Sequence, residues 1–230
     1  MGRMTSTADA KSNTKIRAVS GPRGLAKHEI VETAVSLMEE LGEAAFSVRK
    51  LGDRVGCDPM AILYHFKNKD GMYRAMADAL VAKLSPVGND LPWQDRLRTH
   101  ARDHRALALR YPNTFPLLQR FLNTGVADFP HIEMVHRALA DAGVSDADAS
   151  AVCLAWYAGV IGLCTAEISG LVRPARESEV AEMEELPSAE FPVLRKLARS
   201  YLAVETETVF EIANELFIEG LCSRSDRMSD

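Results

Sequence analysis

The chain contains no Cys-x-x-Cys pair. Its four cysteines, Cys57, Cys153, Cys164 and Cys222, stand far apart, and no Cys/His cluster has zinc-finger spacing. The simplest reading is reduced thiols in a cytoplasm. There is no His-Glu-x-x-His pair, no glycine-rich phosphate loop, no nucleophile elbow and no paired-carboxylate motif, so neither a catalytic residue nor a cofactor is expected. No run alternates apolar and polar residues as a half-buried strand does. Residues 1–24 lack the apolar segment of a secretory signal; they are polar, basic and Ser/Thr-rich, and read as a disordered basic arm. Positive charge is also short. The net of −5 over 230 residues argues, taken whole, against a nucleic-acid partner.

The charge is not spread evenly. Residues 1–84 carry 13 basic and 10 acidic side chains, whereas residues 85–230 carry 14 and 22. A basic leading segment on an acidic body fits a small nucleic-acid-binding head joined to a larger regulatory domain, and it equally fits an ordinary soluble protein with a basic tail. Apolar residues make up 47% of the chain, enough for a sizeable core. The longest uncharged run, Ala149 to Ala166, is flanked by Asp148 and Glu167 rather than basic anchors, and Ser150, Gly159, Gly162 and Thr165 dilute it. It reads as a helix inside an α-protein or a dimer interface, with no membrane partner.

Helical periodicity dominates. Ile30, Ala34, Leu37, Met38 and Leu41 mark one face of a first helix over residues 25–41, which Gly42 ends. Ser47 can cap a short second helix with Val48, Leu51 and Val55 on its buried face. Gly56-Cys57-Asp58 makes a tight turn, and Asp58 with Pro59 starts a third helix running to Phe66. A fourth spans residues 70–84. After a Pro/Gly-containing stretch, Ser85 to Pro92, helices are expected at 93–110, 116–125 and 131–142. A capped helix follows from Ser145 to about Leu171, then a mobile acidic loop over 173–190 and one long helix over 192–221. The fold class is all-α, with residues 25–84 as head and 85–230 as body.

Residues 45–69 have the spacing of a helix-turn-helix, whose second helix fits a major groove while the first braces it. Phe46-Ser47-Val48-Arg49-Lys50-Leu51, Val55-Gly56-Cys57 and His65-Phe66-Lys67-Asn68-Lys69 resemble the N-terminal motif of the TetR (tetracycline repressor) family of regulators. Trp93-Gln94-Asp95-Arg96-Leu97-Arg98 resembles, more weakly, the start of the tetracycline-repressor C-terminal domain. The resemblance implies that Ser47, His65 and Lys69 meet phosphates, that Arg49 reaches into the groove, and that Pro59, Met60, Ala61 and Tyr64 lie on the recognition helix. The family usually has Tyr where this chain has Leu63, which leaves Tyr64 to take over that backbone contact.

The resemblance further implies a homodimer bound to a double-stranded operator and released by a small-molecule effector. A regulator without an inducer is the alternative. Candidate dimer contacts are Trp156, Val160, Leu163, Ile212, Leu216 and Phe217. Candidate effector-binding residues are Leu97, His100, His104, Phe115, Leu118, Phe121, Met134 and Trp156, with an apolar or aromatic ligand oriented by a histidine. His100 and His104 stand four apart, a spacing that suits metal ligands, yet no third ligand accompanies them; pocket-lining or solvated histidines are the reading, and no metal site is expected. Aligned from Trp93, the magnesium-binding histidine of the tetracycline repressor falls near Leu118, so tetracycline chelation is not expected.

Overall fold

The structure, a computed structural model, describes residues 26–228, so the arm read over residues 1–24 lies outside the described residues. Every regular element among the described residues is helical. The head comprises α1 (Lys27–Leu41), α2 (Val48–Val55), α3 (Pro59–Phe66) and α4 (Lys69–Val81). The body comprises α5 (Trp93–Arg110), a 3-10 segment (Phe115–Arg120), α6 (Phe129–Asp141), α7 (Asp146–Ile168), α8 (Glu177–Glu185), α9 (Pro192–Leu197), a second 3-10 segment (Ala198–Ala203) and α10 (Thr206–Met228).

Local chemistry sets the joints of the head. The Ser47 hydroxyl accepts from Lys50 N at 3.2 Å and opens α2, and Gly56, at φ 70°, closes it in the left-handed conformation that glycine adopts without strain. Asp58 Oδ1 accepts from Met60 N at 2.7 Å, with Pro59 in the first turn of α3. Asn68 Oδ1 accepts from Gly71 N at 2.7 Å and starts α4. Ile30, Ala34, Met38, Leu51, Ile62, Met72, Met76 and Leu80 close the core between these helices.

The body's core continues the head's. Leu97, Ala101, Phe115, Leu117, Val135, Leu139, Trp156 and Cys164 are buried where α5, α6 and α7 pack together. A ladder of ion pairs fixes α5 to its neighbours: Arg98 to Glu215 and Arg102 to Glu211 on α10, and Arg105 to Glu167 on α7, each through paired contacts of 2.7–2.8 Å. Helix α7 has the length and apolarity of a membrane span, but it packs on α5, α6 and α10. Only 22% of its most apolar stretch is buried in the protomer.

Three sequence expectations need correction. The helix expected over 116–125 is a 3-10 segment ending at Arg120, after which the chain runs irregularly to α6. Its local bonds go elsewhere: Thr124 N donates to Asp128 Oδ2 at 2.9 Å, and Thr124 O accepts from Arg74 Nε at 3.0 Å. The acidic segment expected as a loop contains α8, because Val180 is buried and Glu179 both pairs with Arg173 and accepts from Arg176 N. The single helix expected over 192–221 is broken between α9 and α10, where Tyr201 O turns away to accept from Ala175 N at 2.9 Å.

Candidate nucleic-acid interface and pocket

Helix α3 lays Ile62 and Phe66 into the head's core and turns its other face outward. On that face Tyr64 is 87% exposed and Met60 71%, free of the protomer's own packing. His65 is exposed beside Tyr64, and Pro59 and Ala61 are half-buried at the start of the helix. Arg49, in the first turn of α2, is exposed, whereas Ser47 is half-buried and engaged as a cap. Lys69 is exposed at the start of α4, its ammonium 5.0 Å from the Tyr73 ring centre, which steadies the side chain. Leu63, the departure from the family pattern, is half-buried and leaves the outward position to Tyr64. These groups form a surface with cations at its margins and a helix at its centre, as a major groove requires.

The body holds a pocket of about 530 Å³, open to the surface on one side, lined by His104, Leu118, Gln119, Arg120, Phe121, Leu122, Thr124, Asp128, Ile132, Leu154, Tyr157, Ala158, Ile161 and Gly162. Of the eight sequence candidates, His104, Leu118 and Phe121 are in its wall. His100 stands one layer behind, with Nε2 3.3 Å from the hydroxyl of the lining Tyr157. Leu97 and Phe115 are fully buried in the core, Trp156 stacks on His100, and Met134 borders a separate, smaller pocket beside His131. The α7 residues Leu154, Tyr157, Ala158 and Ile161 escaped the sequence reading. Their 3–4 spacing was the available signal, but it is shared by every core face of a helix.

Burial sets the chemistry of the histidines. His104 donates through Nδ1 to His100 O at 2.9 Å, which leaves Nε2 with its lone pair. Burial pulls its pKa down to about 4, and burial with the neighbouring His104 and His131 holds His100 well below the ordinary imidazole range. His100 is parallel to His131 at 4.9 Å between ring centres, an arrangement for stacking. Among the described residues no group of three or more His, Cys, Asp or Glu side chains could hold a metal ion. Because the folded pKa of His104 lies below the unfolded value of about 6.5, its contribution to stability is complete above pH 6.5 and is lost as pH falls toward 4. Acidification from pH 7 to 5 should therefore cost about 2 kcal/mol from this group, with His100 adding in the same sense. Urea unfolding at a series of pH values checks this; His104→Gln should flatten the profile, and parallel profiles would refute the assignment.

The segment that walls the cavity also grips the head. Arg120 pairs with Glu43 and lies 5.2 Å from the Tyr73 ring centre. Arg74 of α4 donates to Thr124 O and, at 2.6 Å, to Asn123 Oδ1, and Asp78 of α4 accepts from Ala127 N at 3.1 Å. A Cβ on Gly125 would come within 2.7 Å of the Asp78 carboxylate, so the chain approaches α4 as closely as glycine permits. Glu39 of α1 accepts from Asn113 N and Thr114 N at 3.1 and 2.7 Å.

An outward-facing helix-turn-helix on a helical body with its own cavity defines a DNA-binding regulator of two parts. Residues 30–76 match the model of the bacterial regulatory proteins of the tetR family, and residues 85–224 match the tetracyclin repressor-like C-terminal domain. The chain belongs to the TetR family of transcriptional regulators. It is 25% identical over 207 residues to the class A tetracycline repressor of transposon 1721 from Escherichia coli, covering 87% of this chain and 92% of that one. Its fold is similar to that of ActR from Streptomyces coelicolor in complex with actinorhodin, with TM-score 0.79 and 19% identity over 88% of this chain and 99% of the other. It is also similar to BioQ with its double-stranded DNA operator, with TM-score 0.63 and 22% identity over 86% and 99%.

Proposed function

We propose that the protein is a cytoplasmic repressor that binds its operator as a homodimer and leaves it when an apolar or aromatic molecule enters the cavity. Residues 25–84 act as the reading head and residues 85–230 as the effector and dimerisation body. Two copies of α3 would sit in successive major grooves, about 34–36 Å apart. The observation that carries this reading is the shared segment: residues 118–128 line the cavity on one side and hold α4 on the other. A ligand that fits only a displaced segment would shift α4, and with it the spacing of the heads; its differential affinity for the two arrangements sets the size of the response. ActR bound to actinorhodin and BioQ on its operator are relatives in fold whose ligands illustrate the two partners. His104, Leu118 and Phe121 contact the effector in this scheme. His100 and Trp156 back the wall through Tyr157, and Leu97, Phe115 and Met134 support it from the core.

The test starts from an operator selected out of a random duplex library with the purified protein. Lys69→Ala should weaken binding about equally on all sequences and lower the salt slope by about one. Arg49→Ala should cost about 1–3 kcal/mol at the selected operator, as loss of a bidentate base contact does, and relax selectivity at one position. Wild-type affinity in both variants would show that the head has been assigned to the wrong surface.

A further inference from the structure

The polar groups of the cavity wall are unevenly matched. Several of its polar groups are engaged: Gln119 Nε2 donates one N–H to Thr165 Oγ1 at 2.8 Å, the Thr124 hydroxyl points to Asp78 Oδ1 at 3.4 Å, and the Tyr157 oxygen lies 3.3 Å from His100 Nε2. The Arg120 charge is balanced by Glu43 of the head. Two acceptors stand in the same wall. His104 keeps the lone pair of Nε2, because its N–H is used on His100 O. Asp128 accepts the Thr124 backbone N–H and has the Thr124 hydroxyl beside it, and among the described residues it has no ion-pair partner. Asp78 lies close enough to add negative potential, while the nearby Arg74 is spent on Thr124 O and Asn123 Oδ1. Burial, aided by Asp78, raises the Asp128 carboxyl above its ordinary range. His131 opposes that rise, while burial lowers its own imidazole against the pull of Asp128 and Asp103.

A partly buried carboxylate without a counter-charge, in a wall otherwise made of Leu118, Phe121, Ile132, Leu154 and Ile161, asks for a hydrogen-bond donor with positive charge on an apolar body. We propose that the effector is an apolar organic cation whose ammonium group sits against Asp128, with His104 Nε2 as a second acceptor. This rests on the effector reading above and adds the charge of the ligand. A carboxylate ligand would bring a second negative charge to Asp128 and find no uncompensated cation in return.

Three probes with one ring system decide it by calorimetry on the full-length protein: 2-naphthylethylamine, 2-naphthylethanol and 2-naphthylacetate at pH 7. The amine should bind about tenfold more tightly than the alcohol, the difference a charged hydrogen bond makes, and the carboxylate most weakly. Asp128→Asn, whose amide oxygen can still accept from Thr124 N, should bring the amine to the level of the alcohol and leave the alcohol nearly unchanged; Asp128→Glu should keep the preference. Should the Asn variant fail to fold, the wild-type ranking and the Glu variant still decide. Carboxylate binding as tight as the amine, an amine indifferent to Asp128→Asn, or no binding by any probe would overturn the proposal. Operator affinity measured on the same samples separates the outcomes. Tight operator binding with the wrong probe ranking removes only the cation; loss of specific operator binding removes the repressor reading itself.

Discussion

Leu216→Glu should convert the protein to monomers at micromolar concentration and weaken operator binding about a hundredfold or more, because one head then reads half a site and the second contact loses its millimolar effective concentration. The reason lies in the two faces of α10. Phe210, Asn214, Ile218 and Leu221 point into the protomer, whereas Ile212 is 55% exposed and Leu216 64%. On α7, Leu154 is 51% exposed at the rim of the pocket, with Ala155, Ala158 and Gly159 exposed beside it, so the dimer face and the pocket's rim adjoin. Among the described residues, nothing beyond the glycines' own helices lies within 4 Å of where a Cβ would stand on Gly159, Gly162 or Gly220, so a second helix has room to approach. An obligate interface typically buries about 2,000 Å² or more, and a carboxylate placed in its centre costs several kcal/mol in lost hydration. Leu216 lies outside the protomer's core, so circular dichroism should remain that of the wild type. A dimeric Glu variant with wild-type affinity would place the interface elsewhere. Trp156 and Val160, counted with the dimer contacts on sequence grounds, are buried inside the protomer. Truncating them should lower protomer stability first.

The head was legible in the sequence because each of its joints is local. Ser47, Gly56, and Asp58 with Pro59 each act within a few residues of their own position, and each is a residue type that a cap or a tight turn favours; Asn68 acts the same way on α4 but was not read as its cap. The body was legible in outline but not at its breaks. The 3-10 turn at Phe115–Arg120, α8, and the gap before α10 are set by partners far along the chain. Arg74 holds Thr124 from 50 residues away, and Tyr201 meets Ala175 across 26 positions. Periodicity within a segment carries no trace of such pairs. The cavity shows the same limit. His104, Leu118 and Phe121 could be named from the sequence as bulky or polar groups on inner faces, but so could Leu97 and Phe115, which fill the core. Which inward side chains meet a void depends on how three helices and the clamp segment diverge. The Asp128 carboxylate went unnoticed because its role depends on the absence of a nearby cation in space.

Gly71→Ala should abolish operator binding while changing no group that could touch DNA. Gly71 stands in the first turn of α4, its N–H held by Asn68, and a Cβ there would fall on the carbonyl oxygen of Phe66, far inside van der Waals contact, with the Phe66 carbonyl carbon at 3.2 Å. The obstacle is backbone at the end of α3, so no side-chain rotamer relieves it. The link between the helices is already constrained by Lys67 at φ 69°, which leaves little slack for the turn to open. Relief requires α3 and α4 to separate, which moves Tyr64 and His65 relative to Lys69 and uncovers the Phe66 ring. Overpacking of this kind costs about 3 kcal/mol. Two control glycines separate the mechanism from a general loss of flexibility. Gly56→Ala meets no atom and should cost only about 1 kcal/mol for a left-handed alanine, and Gly159→Ala meets none inside the protomer and should leave monomer stability unharmed. Denaturant unfolding ranks the three, and operator titration at a temperature where each remains folded reads the head. The tight α3–α4 joint is refuted if Gly71→Ala unfolds with the wild-type midpoint and keeps wild-type affinity. If it unfolds early yet binds normally when folded, the joint supports the head without setting the reading geometry.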